Sequence, residues 1–281
     1  MKIIIDNRAL LKISGPDSEI FLQNQLTNDI SRLDKGSIQI NAYCQHQGKI
    51  IALFWLMRFG DSFLLSFPAD LSELILTRLK MFIIMSDVNI QDVSEQYIQV
   101  GLINESHSNS YSINENLSLL IDSSNESKNQ INYTSEETIS SEEWIKACID
   151  SQIPEVFLCS SEKFVPQMLN LDINEVGVNF SKGCYPGQEV VARLHYLGEA
   201  KRRLFAFKSE HEIKVDDSLY CSSSKAAKLR GSRYKGSGLV VNSVKLHSLF
   251  YCLATLDVDL LDSKITLNNE HGPTLEKINN E

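Results

Sequence analysis

Apolar residues in this chain fall first in short runs of strand length and only later at helical spacing. Residues 2–5 and 9–13 are apolar-rich and flank the polar Asp6-Asn7-Arg8, which predicts strand, turn, strand. Gly15-Pro16-Asp17 then opens a helix, because Pro is tolerated in a first helical turn. That helix carries Ile20, Phe21, Leu22 and Leu26 and breaks near Asn28-Asp29. From 38 to 65 strand character dominates, and 50–58 and 62–67, joined by Phe59-Gly60-Asp61, form a hairpin pattern. The strongest helical repeat spans 68–85, where Leu71, Leu74, Ile75, Leu79, Phe82 and Ile83 share one face with only Arg78 polar. Strand-like 88–92 and 96–103 follow. A hairpin, a long amphipathic helix and a further strand are the ingredients of a ferredoxin-like α+β lobe.

The pattern then changes twice. Residues 104–143 are rich in Ser, Asn and Glu and read as a variable surface segment, with one strand at 117–122. Ser140 and Glu143 have the spacing of a capping box for a helix holding Trp144, Ile145, Cys148 and Ile149, which places Cys148 on the apolar stripe as a core thiol. Beyond Lys201 come short strands at 203–207, 218–221, 238–244 and 249–256, separated by turns; the charged 208–217 is one of these turns. This is the sequence pattern of a small antiparallel barrel. The domain boundary is placed near Gly198, giving 1–198 as a two-lobed α/β region and 199–281 as the barrel.

Composition narrows the function classes. With 281 residues and 43% hydrophobic content the chain can bury a sizeable core, so global disorder is excluded. A net charge of −9 argues against a surface that grips nucleic acid throughout. No run approaches the ~18–20 apolar residues that span a bilayer, and Asp6 interrupts any signal-peptide core, so a cytoplasmic protein with no membrane partner is expected. The six cysteines form no C-x-x-C pair and read as free thiols, with no zinc or cluster site of the chain's own.

One of these cysteines has a distinctive setting. In Lys182-Gly183-Cys184-Tyr185-Pro186-Gly187-Gln188-Glu189-Val190-Val191-Ala192-Arg193, the residues Gly183, Pro186 and Gly187 predict a tight turn, and 188–194 a helix. Cys184 then precedes a helix N-terminus and lies two residues from Lys182, both features that favour a thiolate. Glu189 and Arg193, four apart, pair on one helical face.

This segment resembles the K-G-C-[FY]-x-G-Q-E-x-x-x-R signature of the YgfZ family at every fixed position. Phe21-Leu22-Gln23-Asn24-Gln25-Leu26-Thr27-Asn28-Asp29, Tyr43-Cys44-Gln45-His46-Gln47-Gly48-Lys49-Ile50 and Phe164-Val165-Pro166-Gln167-Met168-Leu169-Asn170-Leu171 resemble further family segments in the same order. The resemblance implies an α+β fold of interwoven ferredoxin-like lobes of the GcvT (glycine-cleavage T-protein) type with a small C-terminal β-barrel. It also implies a pocket for tetrahydrofolate or a related reduced folate. By the same resemblance Cys184 is the functional thiol. Lys182, Gly183, Tyr185, Gly187, Gln188, Glu189 and Arg193 build its surroundings, and Gln25, Asn28 and Asp29 serve the folate or the motif. The implied role is support of iron–sulfur enzymes, including those that modify tRNA, with those enzymes or their assembly machinery as partners. Whether the folate is a substrate stays open, and so does direct tRNA contact.

Three other readings stand beside it. A folate-dependent aminomethyltransferase needs an acid near the reacting nitrogen, and 47–53 holds none before Asp61. An RNA-binding module would use the basic 225–235, with Lys201, Arg202 and Arg203. A redox-sensor thiol at Cys184 would need a resolving cysteine brought near by folding or by a partner.

Overall fold

In the computed structural model, residues 1–84, 86–123, 140–198, 200–221 and 237–278 are described. The chain crosses between two antiparallel sheets almost at once. β1 (Lys2–Ile5) pairs with β7 (Tyr97–Ile103), while β2 (Arg8–Ser14), separated from β1 by Asp6-Asn7 alone, pairs with β5 (Ser62–Pro68) and β6 (Asn89–Asp92). With β3 (Gln39–Cys44) and β4 (Ile50–Phe59) the first sheet has the order β3-β4-β5-β2-β6. With β8 (Ser110–Ser112) and β9 (Leu117–Ser123) the second has the order β1-β7-β9-β8. Sequence neighbours β1/β2 and β6/β7 sit in different sheets, so the two α+β lobes are interwoven.

Arg8 pins this crossing. Its side chain is buried and donates to Ser66 Oγ at 2.7 Å and to Ser66 O at 2.9 Å, while Gln99 of the second sheet donates to its carbonyl at 3.0 Å. Its guanidinium also pairs with Glu155 and stacks 3.8 Å over the Trp55 ring. Burial pushes the Arg8 guanidinium down to about 9, and the Glu155 carboxylate supplies the partner such a buried cation requires.

α1 (Ser18–Gln25) and α2 (Ser72–Lys80) cover the first sheet. The sequence repeat extends α2 to 85; the helix stops at Lys80 and leaves Met81, Phe82 and Ile84 exposed. The chain has to turn back there, because Asp87 is held at the start of α1, its N–H donating to Asp17 Oδ2 at 2.8 Å. α3 (Ser141–Asp150) carries the expected capping box: Glu143 N donates to Ser140 Oγ at 3.2 Å, and Ser140 N to Glu143 Oε2 at 2.7 Å. Its Trp144, Cys148 and Ile149 are buried.

The third lobe is a closed barrel of order β10-β13-β12-β11-β14-β15, which leaves no open sheet edge. Its strands are β10 (Arg202–Ser209), β11 (Ser218–Tyr220), β12 (Gly238–Leu246), β13 (Leu249–Asp257), β14 (Ile265–Leu267) and β15 (Thr274–Lys277). One hydrophobic core joins all three lobes, with Ala42 and Leu53 from the first sheet, Ile149 from α3, Phe164 and Leu171 from the connecting chain, and Leu204, Val241 and Leu253 from the barrel. No described helix is long and apolar enough to cross a membrane.

Candidate functional site

The cysteine motif is built onto the turn between β3 and β4. Gly48 closes that turn, with φ +75° and its N–H donating to Gln45 O at 2.8 Å. Gly187, φ +81°, caps α4 (Gln188–Tyr196) and lies directly against it. A Cβ on Gly187 would sit 2.5 Å from Gln45 O and 2.7 Å from both Cα and N of Gly48. Only glycine fits such a backbone contact in the left-handed region. Gly183, by contrast, has no left-handed φ, and an added Cβ there meets nothing within 4 Å. The tight turn therefore requires Gly187 and not Gly183, which corrects the sequence reading. Gln188 Nε2 donates to Gly183 O at 3.4 Å, and Glu189 and Arg193 pair on the exposed face of α4.

Lys182 also differs from its expected place. Its ammonium donates to Gln23 O at 2.6 Å, Leu26 O at 2.5 Å and Asn28 O at 2.9 Å, so all three N–H donors serve the C-terminal end of α1 and the loop beyond. A cation there satisfies orphaned helix carbonyls and opposes the helix dipole. Burial pushes Lys182 down to about 8, while the Asp29 carboxylate works to raise it. Lys182 is thus an anchor for the motif and not a free cation directed at Cys184. Tyr185, buried below the same ammonium at 5.4 Å, has its phenol pushed up by desolvation. Cys184 is exposed, as is Cys159; Cys44, Cys148, Cys221 and Cys252 are buried.

The loop that Lys182 holds is a seam between β3 and residues 176–179. Thr27 Oγ1 donates to Gly177 O at 2.6 Å and accepts from Ala42 N at 2.9 Å. Asn28 donates through its backbone N–H to Asn41 Oδ1 at 3.0 Å, and through Nδ2 to Ile40 O and Val176 O, both at 3.2 Å. Asp29 accepts from Gln23 Nε2 and from Ser31, bonds that hold its carboxyl below the usual range. Asn28 and Asp29 are therefore fully engaged within the fold.

Ile40 and Val176 are also walls of a cavity of about 330 Å³ between the lobes. Its apolar lining includes Ile113, Ile153 and Leu171, its polar lining includes Asn114, Gln152, Asn170 and Asn174, and none of its described lining residues is charged. Gln152, Asn170 and Asn174 have φ of +53°, +59° and +52°. Neither this cavity nor a larger hollow of about 640 Å³ within 104–118 is lined by residues of the cysteine motif; the first is joined to it through Asn28.

Among the described residues, two buried side-chain amide oxygens lack a partner. Gln25 Oε1, at the end of α1, and Gln167 Oε1 accept no hydrogen bond, although Gln25 is 9% and Gln167 only 1% exposed. Gln167 Nε2 donates to Val191 O of α4 at 2.8 Å, so this side chain is fixed with its oxygen unused. An unpaired buried carbonyl oxygen is a ready acceptor for a ligand N–H. Gln25 was among the residues expected from sequence; Gln167 was not. The signal for it lay in the sequence, as a lone polar residue inside the apolar 164–169.

Two of the basic residues near the barrel are paired with carboxylates. Arg203 makes a two-point pair with Asp172 at 2.5 and 3.1 Å, and Arg202 donates to Asp257 at 2.9 Å. The stretch 225–235 lies outside the described residues. No three His, Cys, Asp or Glu side chains come together as a metal site among the described residues.

Comparison with known proteins places these features in context. No family model matches the chain. A tRNA-modifying protein YgfZ from Colwellia psychrerythraea is 31% identical over 230 residues, covering 72% of this chain and 69% of that one. The YgfZ of Escherichia coli is 28% identical over 269 residues, covering 86% and 80%. An uncharacterized protein of Haemophilus influenzae is 30% identical over 285 residues, covering 96% and 97%. In three dimensions the chain resembles glycine cleavage system aminomethyltransferase T from Bartonella henselae, with a TM-score of 0.71, 10% identity, and coverage of 99% and 84%.

Proposed function

This chain belongs to the YgfZ family, and from that premise we propose that it binds a reduced folate in the cavity between its lobes and supports, through Cys184, iron–sulfur enzymes that modify tRNA. The observation that carries the reading is the position of Asn28. Its amide spans the two cavity walls at Ile40 and Val176, and its carbonyl is held by Lys182 of the cysteine motif. This link supports reading the cavity and the motif as parts of one site.

The residues present fit such a ligand. A reduced pterin is a compact, uncharged bicycle whose flat pyrimidinone half is edged with N–H donors and acceptors. A largely apolar cavity rimmed by Asn114, Gln152, Asn170 and Asn174 suits its faces and edge. When bound, a reduced folate supplies one-carbon chemistry at its ring nitrogens. The chain itself binds and orients the ring and presents an exposed thiol beside the first turn of α4.

The aminomethyltransferase reading has the fold in its favour and lacks the acid. β4 opens with Ile50-Ile51-Ala52-Leu53, all buried, and the cavity lining contains no carboxylate, so no described group there can move a proton to or from the folate nitrogen.

Two measurements test the proposal. Calorimetric titration with tetrahydrofolate is expected to show binding that Ile153→Trp, which fills the cavity, removes. In cells, Cys184→Ala is expected to leave the fold intact and lower the activity of a tRNA methylthiotransferase. Absence of binding to the wild type would refute the folate assignment, unchanged methylthiotransferase activity would remove Cys184 from the function, and turnover in a purified glycine-cleavage assay would promote the aminomethyltransferase.

A further inference from the structure

We propose that the cavity and the Cys184 loop are conformationally coupled through Asn28 and Lys182, so that filling the cavity changes how readily the Cys184 thiol reacts. The inference rests on the cavity being the ligand site proposed above, and it assigns that site a regulated output.

Asn28 is buried and uses every polar group it has. Nδ2 bridges Ile40 O and Val176 O, its N–H donates to Asn41 Oδ1, its Oδ1 accepts from Asp29 N at 2.9 Å, and its carbonyl accepts from Lys182. The two wall bonds are already 3.2 Å long, near the outer limit of a good N–H···O contact. A ring that shifts either wall therefore tilts or breaks at least one of them, and because the N–H and Oδ1 of Asn28 are held as well, the displacement passes to the backbone whose carbonyl Lys182 holds.

The wall on the Val176 side is the element able to respond. Asn170, Asn174 and Glu175 are all left-handed within six residues, and of these only Glu175 is of a type that the left-handed region disfavours, so this irregular stretch has a position whose strain a different wall placement can relieve. It is tied to the same loop a second and third time, by Thr27 Oγ1 to Gly177 O and by Asn179 N to Thr27 O at 3.0 Å. On the other side of the loop, residues 183–186 run between two anchors. One is the Lys182 ammonium on Asn28, Leu26 and Gln23; the other is the contact of Gly187 with the β3–β4 turn. Cys184 lies between these anchors, so a shift of the first changes the exposure and packing of its thiol. Asn28 and Lys182 act here as positioning residues, and coupling of this kind is reciprocal: modification of Cys184 also changes affinity at the cavity.

The test is the alkylation rate of Cys184 in the full chain, read by peptide mass mapping under limiting iodoacetamide, with and without saturating tetrahydrofolate. Cys159, also exposed, is the internal reference. The expected result is a change of about fivefold or more at Cys184, the usual lower range of such couplings, with Cys159 unchanged and the ratio near one in Lys182→Met. Asn28→Ser, which removes the wall bonds, gives the same readout should Lys182→Met fail to fold. If tetrahydrofolate binds by calorimetry and the Cys184 rate is unaffected, the coupling is overturned. A ratio that persists in the variants overturns it too, because the ligand then acts on the thiol directly. If tetrahydrofolate does not bind, the folate reading fails by itself, and the coupling is read from Ile173→Trp, a half-exposed cavity position. A changed Cys184 rate in that variant sustains the coupling, and an unchanged rate overturns it.

Discussion

Gly48 and Gly187 meet backbone to backbone, each in the left-handed region, with φ of +75° and +81°. This contact fixes where α4 begins and how the cysteine loop lies on the first lobe. A Cβ on Gly187 would approach Gln45 O to 2.5 Å, a clash with main chain that no rotamer relieves.

Gly187→Ala is therefore expected to destabilise the protein by about 3 kcal/mol, combining roughly 1–2 kcal/mol for the left-handed conformation with overpacking of similar size. Gly183→Ala, four residues earlier in the same motif and with open space around its Cβ, is expected to stay within about 0.5 kcal/mol. Urea midpoints measure both. Equal losses would mean that the turn depends on the two glycines alike. A neutral Gly183→Ala that nonetheless loses function would mark Gly183 as a point where a ligand or partner approaches the backbone.

Much of this architecture was legible in the sequence for a local reason. The capping box of Ser140 and Glu143, the β4–β5 hairpin and four of the six barrel strands depend on neighbours within a few residues, and the structure keeps them, while the short β14 and β15 gave no such signal. What was not legible depends on distant partners. Lys182 was read as a cation for Cys184, its neighbour in sequence, but its acceptors lie 154 to 159 residues away. Arg203 was read as part of a basic patch, and Asp172 neutralises it from 31 residues away. α2 ends early because Asp17 fixes Asp87, 70 residues on. The cavity has the same origin, since Ile40, Ile113, Ile153 and Val176 come together only through the interweaving of the lobes.

The six thiols are expected to fall into two tiers. Cys159 and Cys184 are exposed and should label with iodoacetamide in the native protein within the same experiment. Cys44, Cys148, Cys221 and Cys252 are buried and should label only through unfolding, at a rate that rises with denaturant. Peptide mapping across a urea series separates the tiers. Native-state labelling of Cys44, which lies under the motif in the core shared by the lobes, would show that the motif loop opens on its own.

The buried thiols also set the alkaline limit of stability. Desolvation pushes Cys44 and Cys252 well up from 9.0 and Cys148 up to about 12. A thiol whose pKa is raised by folding binds its proton more tightly in the native state, so its contribution is complete below pH 9 and is lost as the pH climbs toward the native value. At pH 10 each such thiol has lost about 1.4 kcal/mol, because the unfolded chain is then largely ionised there and the folded chain is not. Lys182 has the opposite sign. Its pKa is lowered, from 10.5 to about 8, so its contribution grows as the pH rises through that window and partly masks the fall. A difference measurement cancels it. Cys252 lies in β13 at the centre of the barrel, where burial outweighs the Phe207 backbone hydrogen bond that works to lower it. Removing it as Cys252→Ala is expected to cost a fixed amount of packing at every pH. The stability gap between wild type and variant should then narrow by about 1.4 kcal/mol between pH 8 and pH 10, since only the wild type carries the titrating thiol. Denaturant unfolding at the two pH values measures this directly, and a gap that stays constant would mean that Cys252 ionises as readily in the folded barrel as in the open chain.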